Sequence, residues 1–325
     1  MSEAAGLPDS DLVYSLYYSV FKPQLVRSAL LLDLFSPLAD GPADADAIAT
    51  ARGCSAVGVR ALLEYLCDLR LLERRGDAYA LTPTAATFLV RGRRSYAGDW
   101  ILMETGPEMW GEILLALRSG SPAHPATPWA QDAWLESYRA PRLDESLEMC
   151  RAVGIEPGSH TRLRILDLAC GCAVKSLVLA QVDSAVHVTC VDSAEVLEVT
   201  RDLAGRLGVL SQVTFRPGDL YTIDLNKGSY DAALLGQITY YLTPQQNVNL
   251  LRHIHQALSL GGTLVIDVFM GSEESNEMTS MFTVVMWALT GGAIHSATDY
   301  RRWLAEAGFR RVKQLGEKWL SATKE

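Results

Sequence analysis

The sequence predicts an α/β fold: a doubly wound, mainly parallel sheet with a terminal antiparallel hairpin, preceded by an all-α winged-helix domain. Three observations support this prediction. From residue 162 onward, short apolar runs alternate with segments of helical periodicity, which is typical of parallel sheets with crossover helices. The last two strand-like runs are separated only by a brief turn around Gly316, so they must pair antiparallel. The first hundred residues show helices followed by a short hairpin.

The composition excludes several classes of protein. The 325 residues are 49% hydrophobic and 21% charged, and 29 Lys and Arg against 38 Asp and Glu give a net charge of −9. A disordered or fibrous chain has a different balance. No apolar run approaches the roughly 20 residues of a membrane span, and because the first residues are acidic and show no charged-then-apolar pattern, we expect no secretory signal. Six cysteines without zinc-like spacing indicate reduced thiols and no metal site, so we expect a cytoplasmic protein.

Residues 1–100 are predicted to form the winged-helix domain. Ser55 caps a helix with a stripe of leucines, and Gly76-Asp77 suits a tight turn between two short strands within residues 73–81. Apolar residues at helical spacing predict earlier helices over residues 12–20, 24–38 and 44–51.

A winged helix suggests DNA binding, but the charge of this segment does not. Residues 1–100 hold 10 Lys and Arg against 12 Asp and Glu, whereas a phosphate-binding face needs a positive excess. The alternative is a dimerisation domain. It is favoured by the apolar and aromatic residues 14–21, because such a patch near a terminus needs a partner to cover it. We therefore expect a homodimer and no nucleic-acid partner.

Residues 101–160 are predicted to be a helical linker that walls a pocket. They contain several prolines and the tryptophans Trp110, Trp129 and Trp134, and a connecting helix is predicted over residues 143–153. Plain packing of the tryptophans in a core is the alternative interpretation. The predicted domain division is therefore 1–100, 101–160 and 161–325.

Residues 161–325 carry the alternating pattern. Strands are predicted over residues 165–168, 186–191, 212–215, 230–235 and 263–269, and the final pair over 309–315 and 318–323. Ser193 and Thr243 are predicted helix caps. The helix that begins after Thr243 is expected to stop at Gly261-Gly262, and a last helix over residues 298–307 precedes the hairpin.

Ligands of open α/β sheets bind beyond the carboxyl ends of the strands, and four of these ends carry candidate residues. Gly171 follows the first strand and lets the backbone approach a ligand, because it has no Cβ. Asp192 follows the second strand, 21 residues later, which is the spacing of a carboxylate that accepts ribose hydroxyls. Asp219-Leu220 follows the third strand and Gly236-Gln237 the fourth. Together they predict an adenosine-containing ligand.

The glycine pattern that seats a pyrophosphate is absent, because residues 169–174 read Ala-Cys-Gly-Cys-Ala-Val. A ligand with adenine, ribose and an amino-acid tail therefore fits better than a dinucleotide. Asp219 is placed to accept from the exocyclic amine, and Asp167 to hold an ammonium group through water. S-adenosylmethionine matches this description.

These motifs resemble those of the class I S-adenosylmethionine-dependent methyltransferases. The matching stretches are Asp167-Leu168-Ala169-Cys170-Gly171, Asp192, Gly218-Asp219-Leu220 and Leu258 to Asp267. Leu31-Leu32-Asp33-Leu34-Phe35 and Ala80-Leu81-Thr82-Pro83 are similar to the dimerisation domain of the two-domain small-molecule branch. The resemblance implies a Rossmann-like fold, S-adenosyl-L-methionine as cofactor, a small-molecule methyl acceptor and an intertwined homodimer.

Two departures from the family pattern concern the site. Ala169 and Ala173 stand where most members have glycine. Tyr240 stands where many O-methyltransferases of this branch have a general-base histidine, a change that resembles the bacteriochlorophyll C-methyltransferase subgroup. A phenol with a pKa of about 10 is a weak base at neutral pH. His295, with an ordinary pKa of about 6.5, is the second candidate base, and a structural histidine is its alternative interpretation.

The resemblance implies methyl transfer to oxygen, which is favoured over activated carbon, of a small apolar or aromatic metabolite. Met278, Met281 and Phe282 have the helical spacing of a substrate lid, although ordinary helix packing predicts the same stripe. Two alternatives stay open at this point. One is a protein that binds S-adenosylmethionine without transferring its methyl group, and the other is a winged-helix regulator with a ligand-sensing domain.

Overall fold

A seven-stranded sheet forms the centre of the C-terminal part of the protein in a computed structural model. The structure describes residues 10–93, 96–104, 106–123, 143–152, 162–271, 276–316 and 318–325. The chain divides into two compact units, Met1–Met109 and Trp110–Glu325. The predicted three-part division stays a prediction, because much of the linker, including Trp129 and Trp134, lies outside the described residues. Within the described ranges, no helix has the length and apolar character needed to cross a membrane.

The N-terminal unit combines helices with a small antiparallel sheet. Its elements are α1 (Asp11–Ser19), α2 (Phe21–Leu31), a 3-10 turn (Ser36–Leu38), β1 (Ala43–Asp44), α3 (Ala45–Arg52), α4 (Ala56–Asp68), β2 (Leu72–Arg75), β3 (Ala78–Leu81), α5 (Pro83–Phe88) and α6 (Gly98–Glu104). The strands lie in the order β1-β3-β2. The predicted hairpin is confirmed, with Leu72 opposite Leu81 and Gly76 in the left-handed region at φ +64°.

Local signals explain most of these boundaries. Asp44 and Ser55 accept hydrogen bonds from the third residue beyond them and so cap α3 and α4. The prediction of one helix from residue 24 to 38 is wrong, because α2 ends at Leu31. Asp33 turns the chain at φ +49°. Its carboxylate accepts a hydrogen bond from Ser36 Oγ at 2.5 Å and pairs with the Arg52 guanidinium at 2.7 Å. These contacts stabilise the turn that ends the helix.

One helix of this unit is not covered by the rest of it. None of the residues of α1 is buried, and Leu16 and Tyr18 expose 62% and 63% of their surface. The core of the unit is formed instead by α2, α3, α4 and β3, through side chains such as Leu30, Ile48 and Tyr79. The unit therefore presents a continuous apolar helix to its surroundings.

The C-terminal unit is a sheet with helices between its strands. After α7 (Pro107–Ser119), the elements are α8 (Leu143–Ala152), β4 (Leu163–Leu168), α9 (Val174–Val182), β5 (Val186–Asp192), α10 (Ala194–Leu207), β6 (Val213–Pro217), β7 (Tyr230–Gly236), α11 (Pro244–Ala257), β8 (Leu258–Asp267), α12 (Glu277–Thr290), α13 (Ala297–Glu306), β9 (Arg310–Leu315) and β10 (Trp319–Thr323). The strand order is β6-β5-β4-β7-β8-β10-β9. The first five strands of this order are parallel, and β10 is antiparallel to both β8 and β9, which confirms the predicted fold class.

The strand order places the carboxyl ends of four strands around one crevice. From the central β4, the chain adds β5 and β6 on one side and β7 and β8 on the other. The order therefore reverses between β4 and β7, and a ligand crevice forms at such a switch point. Asp192 is level with Pro217, and Gly236 is level with Asp267.

Two predicted caps are confirmed, and one predicted helix end is wrong. Ser193 caps α10, which closes at Gly208, and Thr243 forms a capping box with Gln246 at the start of α11. However, α11 ends at Ala257 rather than at Gly261-Gly262. Leu258 is already extended and pairs with Tyr230, so strand pairing ends the helix before the glycines are reached.

Candidate active site

The β4 loop, residues 169–173, has a strained backbone. Ala169, Gly171 and Ala173 have φ of +54°, +53° and +53°. Glycine adopts this left-handed region readily, whereas alanine is destabilised there by about 1–2 kcal/mol. Strain of this kind persists where the surrounding contacts impose it, and it is common at ligand sites.

Gly171 and Asp192, both predicted from the sequence, are in direct contact. The Gly171 N–H donates to Asp192 Oδ2 at 2.9 Å, and the Ser193 N–H donates to Asp192 Oδ1 at 2.8 Å. Burial raises the pKa of the Asp192 carboxyl, and the two backbone hydrogen bonds oppose this rise. Each carboxylate oxygen accepts more than one hydrogen bond, so Asp192 retains acceptor capacity for ligand hydroxyls.

Asp167 lies at the end of β4 with only 6% of its surface exposed. The Ser176 hydroxyl donates to Asp167 Oδ2 at 2.5 Å. Burial raises the pKa of Asp167 to about 7; the Ser176 hydrogen bond lowers it, the Asp192 charge raises it, and the Lys175 charge lowers it. This carboxyl therefore keeps its proton to a higher pH than an exposed aspartate does.

Asp219 and Leu220 lie in the loop that follows β6. The Gly218 N–H donates to the Asp192 carbonyl at 3.0 Å, which ties this loop to the end of β5. Asp219 Oδ1 accepts from the backbone N–H groups of Tyr221 and Thr222 at 2.9 and 3.1 Å. Asp219 is exposed and stabilises its own turn, while Leu220 is half-buried against the core.

Gly236 is the last residue of β7, and Gln237 follows it directly. Among the described residues, no atom lies within 4 Å of where a Cβ on Gly236 would be, so there is open space beside it. Gln237 has φ +53°. Its backbone N–H donates to the Asp267 carbonyl at 2.8 Å, and its side-chain Nε2 donates to the same carbonyl at 3.2 Å. Gln237 thus joins the ends of β7 and β8.

Tyr240 lies in a 3-10 turn (Thr239–Tyr241) after β7. Its hydroxyl donates to Gln237 Oε1 at 3.2 Å, and its ring lies 4.6 Å from that of Tyr241. Gly292 packs against this turn so closely that a Cβ would overlap the Tyr240 carbonyl. The segment that leads to His295 therefore packs against the Tyr240 turn.

His295 occupies a packed position with 8% of its surface exposed. Its ring meets the edges of Trp303 and Tyr300 at centroid distances of 4.7 and 6.2 Å. Burial lowers the pKa of His295, while a hydrogen bond to the Leu242 backbone and the charge of Asp299 raise it. The imidazole is therefore neutral at pH 7, and its Nε2 atom has no hydrogen-bond partner among the described residues.

One ion pair at the carboxyl ends of the strands is not predicted by the sequence patterns. The Lys175 ammonium contacts Asp267 Oδ2, with 23% and 6% of the two side chains exposed. Gln237 Nε2 lies 3.4 Å from the same carboxylate oxygen. Lys175 is the second residue of α9, and a cation at a helix N-terminus is electrostatically unfavourable. That misplaced charge was the available sequence signal for a long-range partner.

The edge as a whole is acidic. Three acidic side chains of low exposure, Asp167, Asp192 and Asp267, lie at the carboxyl ends of the strands, and the Lys175 ammonium contacts one of them, Asp267. Such an arrangement favours a positively charged ligand that also carries hydroxyl groups, and it disfavours a pyrophosphate. In the part of the chain that the structure describes, no group of three His, Cys, Asp or Glu side chains is arranged to hold a metal ion.

An apolar helix follows the end of β8. On α12, Met278, Met281 and Val284 expose 51%, 45% and 46% of their surface. Phe282 packs on Phe269, just beyond β8, with ring centroids 5.4 Å apart. The predicted helix is therefore present with several of its apolar groups exposed, while its role as a lid stays a prediction.

Comparisons with known proteins match both units. A model of a methyltransferase domain matches residues 165–262. A model of the O-methyltransferase dimerisation domain matches residues 14–91. The first range contains the β4 loop, Asp192 and Gln237, and the second contains α2 to α5.

Relatives cover the chain almost from end to end. It is 28% identical over 317 residues to the tetracenomycin polyketide synthesis 8-O-methyl transferase TcmO of Streptomyces glaucescens. The aligned region covers 93% of this chain and 91% of that relative. It is 27% identical over 317 residues to the N,N-dimethyltransferase OxyT of Streptomyces rimosus, with 91% and 90% covered.

Among solved structures, human N-acetylserotonin methyltransferase in complex with S-adenosylmethionine superposes with a TM-score of 0.76 at 21% identity, covering 100% of this chain and 99% of that chain. At this identity the match shows the fold. With the two family models and the full-length relatives, it establishes that the chain belongs to the class I S-adenosylmethionine-dependent small-molecule methyltransferases that carry an O-methyltransferase dimerisation domain.

Proposed function

We propose that this protein transfers the methyl group of S-adenosylmethionine to an oxygen atom of a small aromatic metabolite. The observation that carries the proposal is the contact between the Gly171 N–H and the Asp192 carboxylate at the ends of β4 and β5. It fixes a carboxylate where ribose hydroxyls bind in this type of fold. The dimerisation model and the name of TcmO support oxygen as the acceptor atom.

The residues at the strand ends fit the donor. Asp192 would accept from the ribose hydroxyls, and the loop with Asp219 and Leu220 would receive the adenine. The buried carboxyl of Asp167 lies where it would hold the ammonium group through water. Gly171 lets the backbone approach a ligand because it has no Cβ, and there is open space beside Gly236. The acidic character of the edge favours the positive charges of the sulfonium and ammonium groups.

When bound, S-adenosylmethionine supplies a methyl group activated by the sulfonium. The main task left to the protein is to align the acceptor atom with that methyl group, and alignment of two reactants can lower a barrier by about 7–11 kcal/mol. The Tyr240 hydroxyl donates to Gln237 just after β7, which supports assigning Tyr240 to contact the acceptor.

A general base for the acceptor hydroxyl is the second catalytic assignment. His295 is neutral at pH 7 because burial lowers its pKa, so the imidazole is in the form that accepts a proton. The same lowering makes it a weaker base. Its contribution is therefore expected to be smaller than that of alignment.

The apolar surface of α12 supports an apolar acceptor. Met278 and Met281 are adaptable side chains, and their exposure is consistent with covering a flat ring system. The exposed apolar helix α1 supports a homodimer in which a second copy covers it. Sedimentation velocity measures this directly, and a monomer at micromolar concentration contradicts it.

Calorimetric titration of S-adenosylmethionine tests the donor site. We expect binding to the wild type and at least tenfold weaker binding to Asp192→Ala, equivalent to about 1.4 kcal/mol or more, because the ribose loses its charged acceptor. The matched control is Asp202→Ala, which removes an exposed carboxylate on α10 that pairs with Arg206 of the same helix. Equal affinity of Asp192→Ala, or no binding to the wild type, contradicts the proposal.

A second assay tests the acceptor atom. The protein is incubated with methyl-labelled S-adenosylmethionine and a panel of hydroxylated naphthalenes and anthraquinones, together with their amino analogues. The proposal expects label in the hydroxylated compounds. Label confined to the amines would assign nitrogen instead, as the name of OxyT indicates for that relative.

A further inference from the structure

A chain of polar contacts crosses the switch point of the sheet, from α9 to the Tyr240 turn. Its first link is the ion pair between Lys175 and Asp267. Lys175 follows the β4 loop, and Asp267 ends β8, which is separated from β4 by β7. A lysine in the first turn of a helix, largely removed from water, is unfavourable by itself. The carboxylate of Asp267 is the contact that explains its position.

The second link is the set of hydrogen bonds that Gln237 donates to Asp267. The backbone N–H of Gln237 donates to the Asp267 carbonyl, and its amide Nε2 lies 3.2 Å from that carbonyl and 3.4 Å from Oδ2. Asp267 Oδ1 is buried without a hydrogen-bond donor among the described residues. The carboxylate therefore depends on Lys175 and Gln237 for its stabilisation.

The third link orients Tyr240. Gln237 holds a left-handed backbone at φ +53°, which a non-glycine residue adopts only when contacts impose it. With Nε2 directed at Asp267, the amide presents Oε1, and Oε1 accepts the Tyr240 hydroxyl at 3.2 Å. An uncharged acceptor stabilises the protonated phenol. The direction of the amide, and with it the direction of the phenol, is thus set by Asp267.

We propose that Gln237, anchored by the Lys175–Asp267 ion pair, is a positioning residue that holds Tyr240 as a protonated hydroxyl pointing in one direction. The value of this arrangement for methyl transfer rests on the function proposed above. In this role Tyr240 orients the acceptor by hydrogen bonding and does not remove its proton. Lys175 thus connects α9, the helix that follows the β4 loop, to Tyr240, the residue assigned to contact the acceptor.

The charges around Tyr240 make this proposal testable without an acceptor. Gln237 links Tyr240 to the charges of Asp267 and Lys175. The Tyr241 ring packs beside the Tyr240 ring, and His295 is hydrogen-bonded to the backbone of Leu242. A negative charge near a phenol opposes its ionisation, and a positive charge favours it. Removing one partner of the ion pair at a time should therefore move the ionisation of Tyr240 in opposite directions.

The experiment uses the full-length protein with tyrosine labelled by 13C at Cζ, and Tyr240→Phe assigns the Tyr240 resonance. We expect Asp267→Asn to increase the ionisation constant of Tyr240 roughly threefold or more and Lys175→Met to decrease it by a similar factor. The double variant Lys175→Met/Asp267→Asn should return it close to the wild-type value. Lys313→Met, which removes an exposed lysine on the edge strand β9, should leave it unchanged.

A purely structural ion pair would give a different result. In that case the two single variants would displace the Tyr240 resonance in the same direction, or neither would move it, and the proposal would be overturned. Gln237→Leu supplies a second readout that keeps both charges of the ion pair and removes the amide between Asp267 and Tyr240. It should move the Tyr240 resonance at neutral pH, whereas the control Gln245→Leu on α11 should not. Failure of the wild type to bind S-adenosylmethionine would contradict the proposed function but would not change the outcome of these titrations.

Discussion

The two sides of the crevice are built in different ways. The donor side, formed by the ends of β4 and β5, is held by a left-handed backbone and by hydrogen bonds from backbone N–H groups to the Asp192 carboxylate. Its central contact joins Gly171 and Asp192, 21 residues apart. The acceptor side, formed by the ends of β7 and β8, is held by side chains. Its ion pair joins Lys175 and Asp267, 92 residues apart. The first side is therefore specified by local sequence, and the second depends on the completed sheet.

The two sides also carry different energetic penalties. On the donor side the penalty is conformational, because Ala169 and Ala173 are held at positive φ. On the acceptor side it is electrostatic, because a lysine and a carboxylate are largely removed from water. Each penalty is compatible with folding only because other contacts at the same edge compensate for it.

The largest effect is expected from breaking the acceptor side. Lys175→Met leaves Asp267 buried without its counter-ion, and loss of one partner of a buried pair lowers the free energy of unfolding by about 3–5 kcal/mol. Because Asp267 is only 6% exposed, we expect the loss to be at least about 3 kcal/mol. Urea unfolding of the wild type and the variant measures it.

The matched controls separate charge from packing. Lys175→Met/Asp267→Leu replaces both charges by apolar groups and should recover most of the loss, since such replacements are often neutral. Lys313→Met is exposed and should stay within about 0.5 kcal/mol of the wild type. If Lys175→Met destabilised no more than Lys313→Met, the acceptor side would not depend on the ion pair.

The next effect concerns Asp167, whose pKa is affected by the charges of Asp192 on the donor side and Lys175 of the ion pair. Burial raises its pKa from 3.8 to about 7. Between these two values, the folded state holds a proton that the unfolded state has released, so the stabilisation is complete below about pH 4 and is lost as the pH rises toward 7. This group therefore makes the wild type less stable with rising pH, by up to about 1.4 kcal/mol per pH unit.

Asp167→Asn removes this dependence while keeping an acceptor for the Ser176 hydroxyl. The free energy of unfolding of the variant, relative to the wild type, should rise by about 2 kcal/mol between pH 5 and pH 7. Urea unfolding at pH 5, 6, 7 and 8 provides the curve. A difference between the two proteins that stays constant with pH would show that Asp167 is ionised in the folded state throughout this range.

The contrast between the sides explains what could be predicted from the sequence. Ser193 and Thr243 were identified as caps because a cap is read from a few neighbouring residues. The fold class followed from periodicity, since the parallel strands are apolar runs separated by helices. Gly171 and Asp192 were found together because the spacing of a β-strand and its helix fixes their separation.

Features that depend on pairing between distant segments were not predictable in this way. The end of α11 was misplaced because Leu258 is drawn into the sheet by Tyr230. The Lys175–Asp267 pair was missed because nothing near Lys175 in the sequence identifies its partner. The break after Leu31 depends on Arg52, which is brought to Asp33 by the packing of the N-terminal unit.

The smallest effect is expected from relieving the strain on the donor side. Ala169→Gly removes the steric penalty at φ +54°, and the gain of about 1–2 kcal/mol is partly offset by the greater freedom of glycine in the unfolded chain, about 0.5–1 kcal/mol.

We therefore expect Ala169→Gly to stabilise by about 1 kcal/mol or slightly less. Ala173→Gly has the same relief, but Ala173 is only 3% exposed, and losing a buried methyl group removes about 0.8 kcal/mol. That substitution should be close to neutral. Ala61→Gly, at an exposed position inside α4, is the control with ordinary helical geometry and should destabilise by about 1 kcal/mol. If all three variants lost stability alike in urea unfolding, the left-handed backbone of the β4 loop would carry no penalty, and the energetic contrast between the two sides of the crevice would reduce to the ion pair alone.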